Sequence, residues 1–414
     1  MSFFVVPVFR SPAQSVSFAP NLYPMPRVLR ILNRFNLGGP TYNAAYLTRY
    51  LAPEFETCLI GGHADPDEQS STSIAESIGV PFEQVPGMYR SLNWRNDRMA
   101  YQWIRQKIEE FKPDIVHTHA AKAGALGRMA AAKCGVPAIV HTYHGHVFSG
   151  YFSPLKTHVY KVAERRLARQ SHAIVAISPE QKHDLVSIYR ICSEEQTHVV
   201  RLGFDLERFQ QGHEEKRRAF RREFGLEEDT LVISIVGRLT AIKNHELFLH
   251  AFSKLRSLTR KPIVGLIVGG GELDDELQEI TSLLAMEYSP ATQRGILFAG
   301  WRHDIDHVMA ASDIVALTSH NEGTPVSLIE AQASGVPVIS TGVGGVEDVI
   351  QRDRTGIICQ PNDASAFAYG LLRLIENPGL RADYGRNAAQ HATRYHYSRL
   401  VSDMSELYNS LLKK

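Results

Sequence analysis

From Arg27 onward, short apolar runs rich in Val and Ile alternate with longer stretches whose apolar residues recur at helical spacing. Uninterrupted apolar runs suit strands buried on both faces, and helical stretches between them are the crossovers that parallel strands need. The pattern predicts strands over 28–32, 58–60, 114–117, 138–142, 173–177 and 199–202, then over 231–236, 264–268, 296–299, 314–318 and 338–340. An α/β protein built on parallel sheets is expected.

One segment recurs. Gly135-Val136-Pro137 and Gly335-Val336-Pro337 lie 200 positions apart, and in each an Ala-containing helical stretch stops at Gly while Pro opens a strand. Gly-Val-Pro is also a common helix-to-strand turn, but its placement fits two similar doubly wound halves. Residues 1–26, with prolines at 7, 12, 20, 24 and 26, read as a loose extension. The first domain is placed at 27–206 and the second at 207–392, the latter opening with the charged helix HEEKRRAFRREF. In 393–414, Leu400, Met404, Leu407 and Leu411 are spaced 4, 3 and 4 apart, which predicts an amphipathic helix packing across both domains.

Composition narrows the function classes. The 414 residues are 44% apolar and 21% charged, enough for two or three packed domains and contrary to disorder. Lys and Arg number 45 against 44 Asp and Glu, a net charge of +1, so no global field gathers nucleic acid. Four dispersed cysteines without a C-x-x-C pair fit a reducing cytosol. No apolar run approaches the roughly 18 residues of a membrane span, and Pro7 together with the lack of a basic region argues against a signal peptide.

Candidate chemistry gathers where strands end. Asn36-Leu37-Gly38-Gly39-Pro40-Thr41 joins a strand to a helix, and free N–H groups at such a turn suit an anion. The G-x-G-x-x-G fingerprint is absent, which counts against a nicotinamide enzyme. His117-Thr118-His119 and the run His141-Thr142-Tyr143-His144-Gly145-His146 follow two further strands, where an open parallel sheet binds its ligands. Core histidines are the alternative for His117 and His141, and zinc is disfavoured because no Cys or carboxylate adjoins them. Lys122 reads equally as a phosphate or hydroxyl ligand and as a solvated loop lysine.

In the second half Gly237-Arg238 and Lys243 follow a strand, and a glycine with an Arg fork and a compact Lys charge suits a diphosphate. The segment 318–331 ends a strand, passes through Glu322-Gly323-Thr324-Pro325 and opens a helix with Glu330 in or near its first turn. Two carboxylates flanking a loop can accept hydrogen bonds from vicinal hydroxyls. Asp304-Ile305-Asp306 is read as a helix cap at Asp304, not as a metal-binding pair.

Together these elements resemble the retaining glycosyltransferases of family 4, of the bacterial surface-polysaccharide type. The likeness rests on Gly38-Gly39-Pro40, THAAKAG, TYHGH, Gly237-Arg238 with Lys243, Glu322 with Glu330, and Gly344-Gly345 with Glu347. It implies the GT-B fold, two Rossmann-like domains facing a central cleft, with an acceptor domain first and a nucleotide-sugar donor domain second. It implies that Arg238 and Lys243 hold the donor diphosphate, Glu330 the ribose, and Glu322 with Gly323, Thr324 and Pro325 the sugar. His144 would lie near the anomeric carbon, Gly39 and Gly237 would bring backbone to the phosphates, and Trp301 would border the base. Gly38, His119, Lys122 and His146 are the acceptor candidates. No metal or cofactor is implied, since a nucleotide-sugar, with UDP the preferred base, is a substrate. Many relatives have a longer GG-x-x-E spacing than Gly344-Gly345-Val346-Glu347, so Glu347 is carried over only weakly.

The implied acceptor is a glycan or a lipid-linked sugar. Segment 156–170 carries Lys156, Lys161, Arg165, Arg166 and Arg169 among Val159, Val162 and Leu167, a helix able to rest on an anionic membrane surface or simply to be solvated. The chain is expected in the cytoplasm, peripheral to the membrane if that helix docks. A nucleotide-sugar epimerase of the same architecture and a non-catalytic nucleotide-sugar-binding protein are the other readings.

Overall fold

The structure, a computed structural model, describes residues 25–35, 39–64, 70–145 and 154–413. Residues 1–24 of the extension, Gly38 and His146 lie outside them.

Thirteen strands form two sheets among the described residues. The first contains β1 (Arg27–Leu32), β2 (Glu56–Gly61), β3 (Phe82–Gln84), β4 (Ile115–His119), β5 (Ala138–Tyr143), β6 (Ala173–Ala176) and β7 (Thr197–Val199). The second contains β8 (Leu231–Val236), β9 (Ile263–Val268), β10 (Gly295–Gly300), β11 (Ile314–Leu317), β12 (Val338–Thr341) and β13 (Gly356–Cys359). Every pairing between them is parallel. The orders are β3-β2-β1-β4-β5-β6-β7 and β10-β9-β8-β11-β12-β13. Both sheets reverse direction beside their first strand, so each has a switch point, between β1 and β4 and between β8 and β11, where crevices form.

The Gly-Val-Pro echo falls at equivalent places, because β5 and β12 are each fifth in their sheet's order. Gly135 and Gly335 both sit at positive φ, 68° and 72°, the left-handed residue that ends a helix before a strand.

Two strands escape the sequence pattern. β3 is three residues long with two exposed, and β13 is a four-residue run behind a charged turn. β4 and β5 extend past their predicted ends because Thr118, His119 and Tyr143, although they carry polar groups, are buried in the sheet. β7 stops at Val199, short of the predicted 202. Leu202, Phe204, Leu206 and Phe209 instead join the second domain's core with Leu317, Leu328 and Val338.

Each sheet is covered on both faces. In the first, Leu29, Ile31 and Val116 face Ala100, Ile104 and Ile108 of the helix Trp94–Phe111 and Ala123 and Ala130 of the helix Ala121–Lys133. The opposite face, with Val28, Ile115, Val140 and Val175, is covered by Leu47 of the helix Gly39–Tyr50 and by Leu51 just after it. Leu400, Met404, Leu407 and Tyr408 of the helix Tyr397–Leu412 complete that cover. The chain's last helix is amphipathic, as its periodicity predicted, and its buried stripe packs against the first domain's core.

The two passages between domains run side by side. Phe204 N–H donates to the Tyr395 carbonyl at 2.8 Å, and Tyr397 N–H donates to the Phe204 carbonyl at 3.0 Å. Gly203 permits this approach, since a Cβ there would lie 2.7 Å from Leu400 Cβ and 2.8 Å from Tyr397 Cα. Among the described residues no helix is long and apolar enough to cross a membrane.

Candidate active site

At the second domain's switch point the chain leaves β8 through Gly237. A Cβ on Gly269, which follows β9 at φ 144°, would lie 1.9 Å from the Gly237 carbonyl oxygen, so glycine lets these two loops touch. Arg238 is exposed and has no ion-pair partner among the described residues. The short 3₁₀ turn Ala241–Lys243 then brings Lys243 Nζ to 2.6 Å from Glu322 Oε1, which also accepts from Ser319 Oγ at 2.6 Å. The Glu322 side chain is 9% exposed, so this pair is held largely out of water.

Backbone contacts fix the pair's geometry. The Thr318 hydroxyl donates to the Asn244 carbonyl, and His320 N–H to the Ile242 carbonyl, both at 2.8 Å. On the other side Gly345 N–H donates to the Glu322 carbonyl at 3.1 Å. A Cβ on Gly344 would lie 2.1 Å from the Glu322 oxygen, and one on Gly345 1.8 Å from the Gly323 oxygen. The glycine pair therefore lets one backbone lie against the loop that aims Glu322. Glu347 is exposed and pairs with Arg352 at 3.2 Å.

Glu330 stands near the same crevice. The helix runs Val326–Ala333, which makes Glu330 its fifth residue, just past the first turn and so near it, as the sequence suggested. Its side chain is 17% exposed, and Arg208 Nη2 lies 3.9 Å away. Burial raises its pKa to about 7, with Arg208 opposing the rise and Asp306 adding to it. Tyr42, from the first domain, is in electrostatic reach of both Arg208 and Glu330.

Trp301 is mostly exposed and rests its indole on Gly270, where a Cβ would lie 2.4 Å from Nε1. Asp304 occupies the residue before the helix Ile305–Ala311, but its carboxylate does not cap it. Both oxygens are taken by Arg302, at 2.8 and 2.6 Å. Among the described residues no group of three or more His, Cys, Asp or Glu gathers to hold a metal.

The first domain contributes a ladder of buried rings. His117 uses both nitrogens, Nδ1 with the Tyr408 hydroxyl at 2.6 Å and Nε2 with the Thr142 hydroxyl at 2.7 Å. The fully buried Arg30 donates to Tyr408 at 3.3 Å. The His117 and His119 ring centres are 4.3 Å apart, and His119 Nδ1 lies 2.9 Å from His144 Nε2. Burial pulls His117 and His119 well below the usual histidine range and His144 down to about 3. All three are neutral near pH 7, so one proton is shared along the His119–His144 bond. If His119 donates it, His144 presents Nδ1–H, which has no partner.

The acceptor candidates fare differently. His119 is fully buried and touches His144, not open space. Lys122 Nζ is bound to Asp97 at 2.7 Å and to the Ser91 carbonyl, with the side chain 8% exposed, so an acceptor would have to break that pair. Gly39 opens its helix facing Leu202, whose Cδ1 would lie 3.4 Å from an added Cβ. Tyr408, Tyr42 and Arg208 were not singled out from sequence, and Thr142 appeared there only as part of the histidine run. Of the first three only Tyr408 left a trace, four residues after Met404 on the buried helical stripe.

The two halves meet. A Cβ on Gly323 would lie 3.6 Å from the His144 carbonyl oxygen, so the loop carrying Glu322 faces the one carrying His144. Residues 37–208 match the model of glycosyltransferase family 4, and residues 216–391 that of the glycosyl transferases group 1. The UDP-Gal:α-D-GlcNAc-diphosphoundecaprenol α-1,3-galactosyltransferase of Escherichia coli is 30% identical over 300 residues, covering 71% of this chain and 74% of its own. The chain is a group 1 glycosyltransferase with a family 4 N-terminal domain.

A D-inositol 3-phosphate glycosyltransferase of Stackebrandtia nassauensis is 28% identical to the transferase over 396 residues, 91% of this chain and 88% of its own. Among solved structures, Anabaena HepE in complex with UDP superposes with a TM-score of 0.76 at 19% identity, over 93% of the transferase and 100% of that chain. That likeness identifies the paired Rossmann-like sheets as the GT-B fold.

Proposed function

We propose that the transferase moves a sugar from a UDP-sugar to a lipid-linked glycan acceptor, with retention of anomeric configuration and without a metal ion, in building a cell-surface polysaccharide. The observation that carries this reading is the placement of Arg238, Lys243 and Glu322 at one switch point, opposite His144. Breaking a sugar–phosphate bond develops negative charge on the diphosphate and positive charge on the sugar. Arg238 and Lys243 are placed to stabilise the first, and fixed charges in a shielded crevice do this without reorganisation. A diphosphate beside Lys243 would compete with Glu322 for its ammonium, leaving the carboxylate for sugar hydroxyls. Glu330, once ionised, can accept both ribose hydroxyls. His144, neutral, serves as a hydrogen-bonding group and not as a proton donor. The UDP bound by the Anabaena neighbour and the diphosphoundecaprenol acceptor in the E. coli relative's name support the substrate classes.

The helix Pro154–Ala168 supports a membrane-facing role. Leu155, Val159 and Val162 are 76%, 59% and 50% exposed, and Arg166 continues the same stripe at spacings of 4, 3 and 4. Lys161 and Arg165 turn aside, Lys161 to the Tyr189 ring and Arg165 to the Tyr189 and Arg190 carbonyls. The docking face is therefore apolar with a basic end. Vesicle flotation that depends on anionic lipid would support it, and no flotation with anionic vesicles would remove it.

Incubation with UDP-sugars and a polyprenyl-diphosphate sugar tests the main reading, with UDP release and the product's anomeric proton coupling as readouts. UDP release that requires acceptor and yields the donor's anomeric configuration is expected, unchanged by EDTA. Conversion of donor without acceptor would indicate an epimerase, and binding without turnover a non-catalytic protein.

A further inference from the structure

A cavity of about 530 Å³ opens where the chain crosses from the second domain back to the first, sharing no residue with the cleft described above. Gln351 and Arg354 line it from the turn before β13, Asn387 and His391 from the helix Pro378–Ala392, Arg394 from the crossover turn, and Arg399 from the last helix. Three arginines line it and no carboxylate does.

These charges are not balanced as their neighbours are. Nearby in the sequence, Arg352 pairs with Glu347, Arg373 with Asp353, and Arg386 with Asp383. Arg354 and Arg394 have no ion-pair partner among the described residues, and Arg399 commits its Nε to Asp403 at 2.7 Å. His391 is 8% exposed with Nε2 unpartnered, and Arg201, nearby, has a buried Nε that is also unpartnered. Arg394, Arg201 and Arg354 all act electrostatically on His391, which places their fields on one spot. Like charges converging on a concave, partly dry surface concentrate a positive potential, and guanidinium forks match phosphate oxygens.

We propose that this cavity binds a phosphate-bearing anion, held by Arg354 and Arg394 with Arg399 and His391, at a site separate from the sugar-transfer cleft. Its walls come from both sides of the domain crossover, the strip pinned by the Phe204–Tyr395 and Tyr397–Phe204 hydrogen bonds. An occupant therefore ties the second domain to the helix that covers the first, and restrains their relative rotation.

Calorimetric titration with inorganic pyrophosphate at constant ionic strength tests the site on the full chain. The wild type is expected to bind at the cavity. Arg354→Ala with Arg394→Ala should weaken that binding at least tenfold, and Arg238→Ala, in the cleft, should leave it unchanged. Arg354→Gln alone, at an exposed position, should give an intermediate loss and guards against misfolding of the double variant. Vesicles containing phosphatidylglycerol form a second arm. Arginine-dependent binding to vesicles but not to pyrophosphate would identify a lipid headgroup as the phosphate source, and the converse a soluble one. Absence of both, or binding equal in the wild type and the double variant, would overturn the proposal. Pyrophosphate binding lost only in Arg238→Ala would also overturn it, since that signal belongs to the cleft.

Discussion

Replacing Glu330 with glutamine should stabilise the protein while damaging nucleotide binding. Burial raises this carboxyl from 4.5 to about 7. At about 1.4 kcal/mol per pKa unit, ionising it in the folded state costs up to about 3 kcal/mol. The sign follows from proton counting: between pH 4.5 and about 7 the folded state holds a proton that the unfolded state has released, so stability falls as pH rises through that window. The glutamine amide would keep the shape of the carboxyl and cannot ionise. Urea unfolding should therefore show Glu330→Gln more stable than wild type by about 2–3 kcal/mol at pH 8, and by under about 1 kcal/mol at pH 5. UDP affinity should fall in the variant, and in the wild type should rise from pH 6 to pH 8 as the carboxylate forms. A variant no more stable than wild type at pH 8, or a stability gap indifferent to pH, would refute the reasoning.

Three further outcomes are expected. Gly345→Ala puts a methyl 1.8 Å from the Gly323 oxygen, against backbone that cannot yield, and should lower transfer at least tenfold, whereas Gly379→Ala, with nothing within 4 Å, should leave steady-state rates unchanged. Glu322→Ala should abolish sugar transfer while UDP binding by calorimetry stays within a few-fold, and collapse of that binding would make Glu322 structural. Tyr408→Phe strips the hydroxyl shared by His117 and Arg30 and should cost about 1–3 kcal/mol in urea unfolding, the penalty for buried polar groups left unpaired. A neutral result there would remove Tyr408 as a support of the His144 ladder.

What could be read from the sequence follows from how local each signal is. The long apolar runs of β1, β8 and β9 are buried on both faces and declared themselves, as did the Leu400–Met404–Leu407 stripe. Gly237-Arg238 and the Glu322 loop were legible because strand ends in a parallel sheet are where ligand groups belong. Their pairing was not, since Lys243 and Glu322 are 79 residues apart and meet only through the strand order β8-β11. The role expected of His119 changed for a related reason. A histidine beside a strand end looks available to a ligand, and only the burial of β4 beneath the last helix shows it bonded to His144. The charge of helix Pro154–Ala168 was visible, but which arginines face outward depended on Tyr189 and Arg190, which come from another segment.

The most direct test of the account is thermal unfolding with UDP, GDP, ADP and NAD, for the wild type and Arg238→Ala in parallel. Ligand at about 100 times its Kd adds roughly 2.7 kcal/mol to the folded state. Stabilisation of the wild type by UDP, lost in Arg238→Ala, is the expected result. No response to any nucleoside diphosphate, a response to NAD alone, or UDP stabilisation unchanged in Arg238→Ala would contradict the assignment of the donor site.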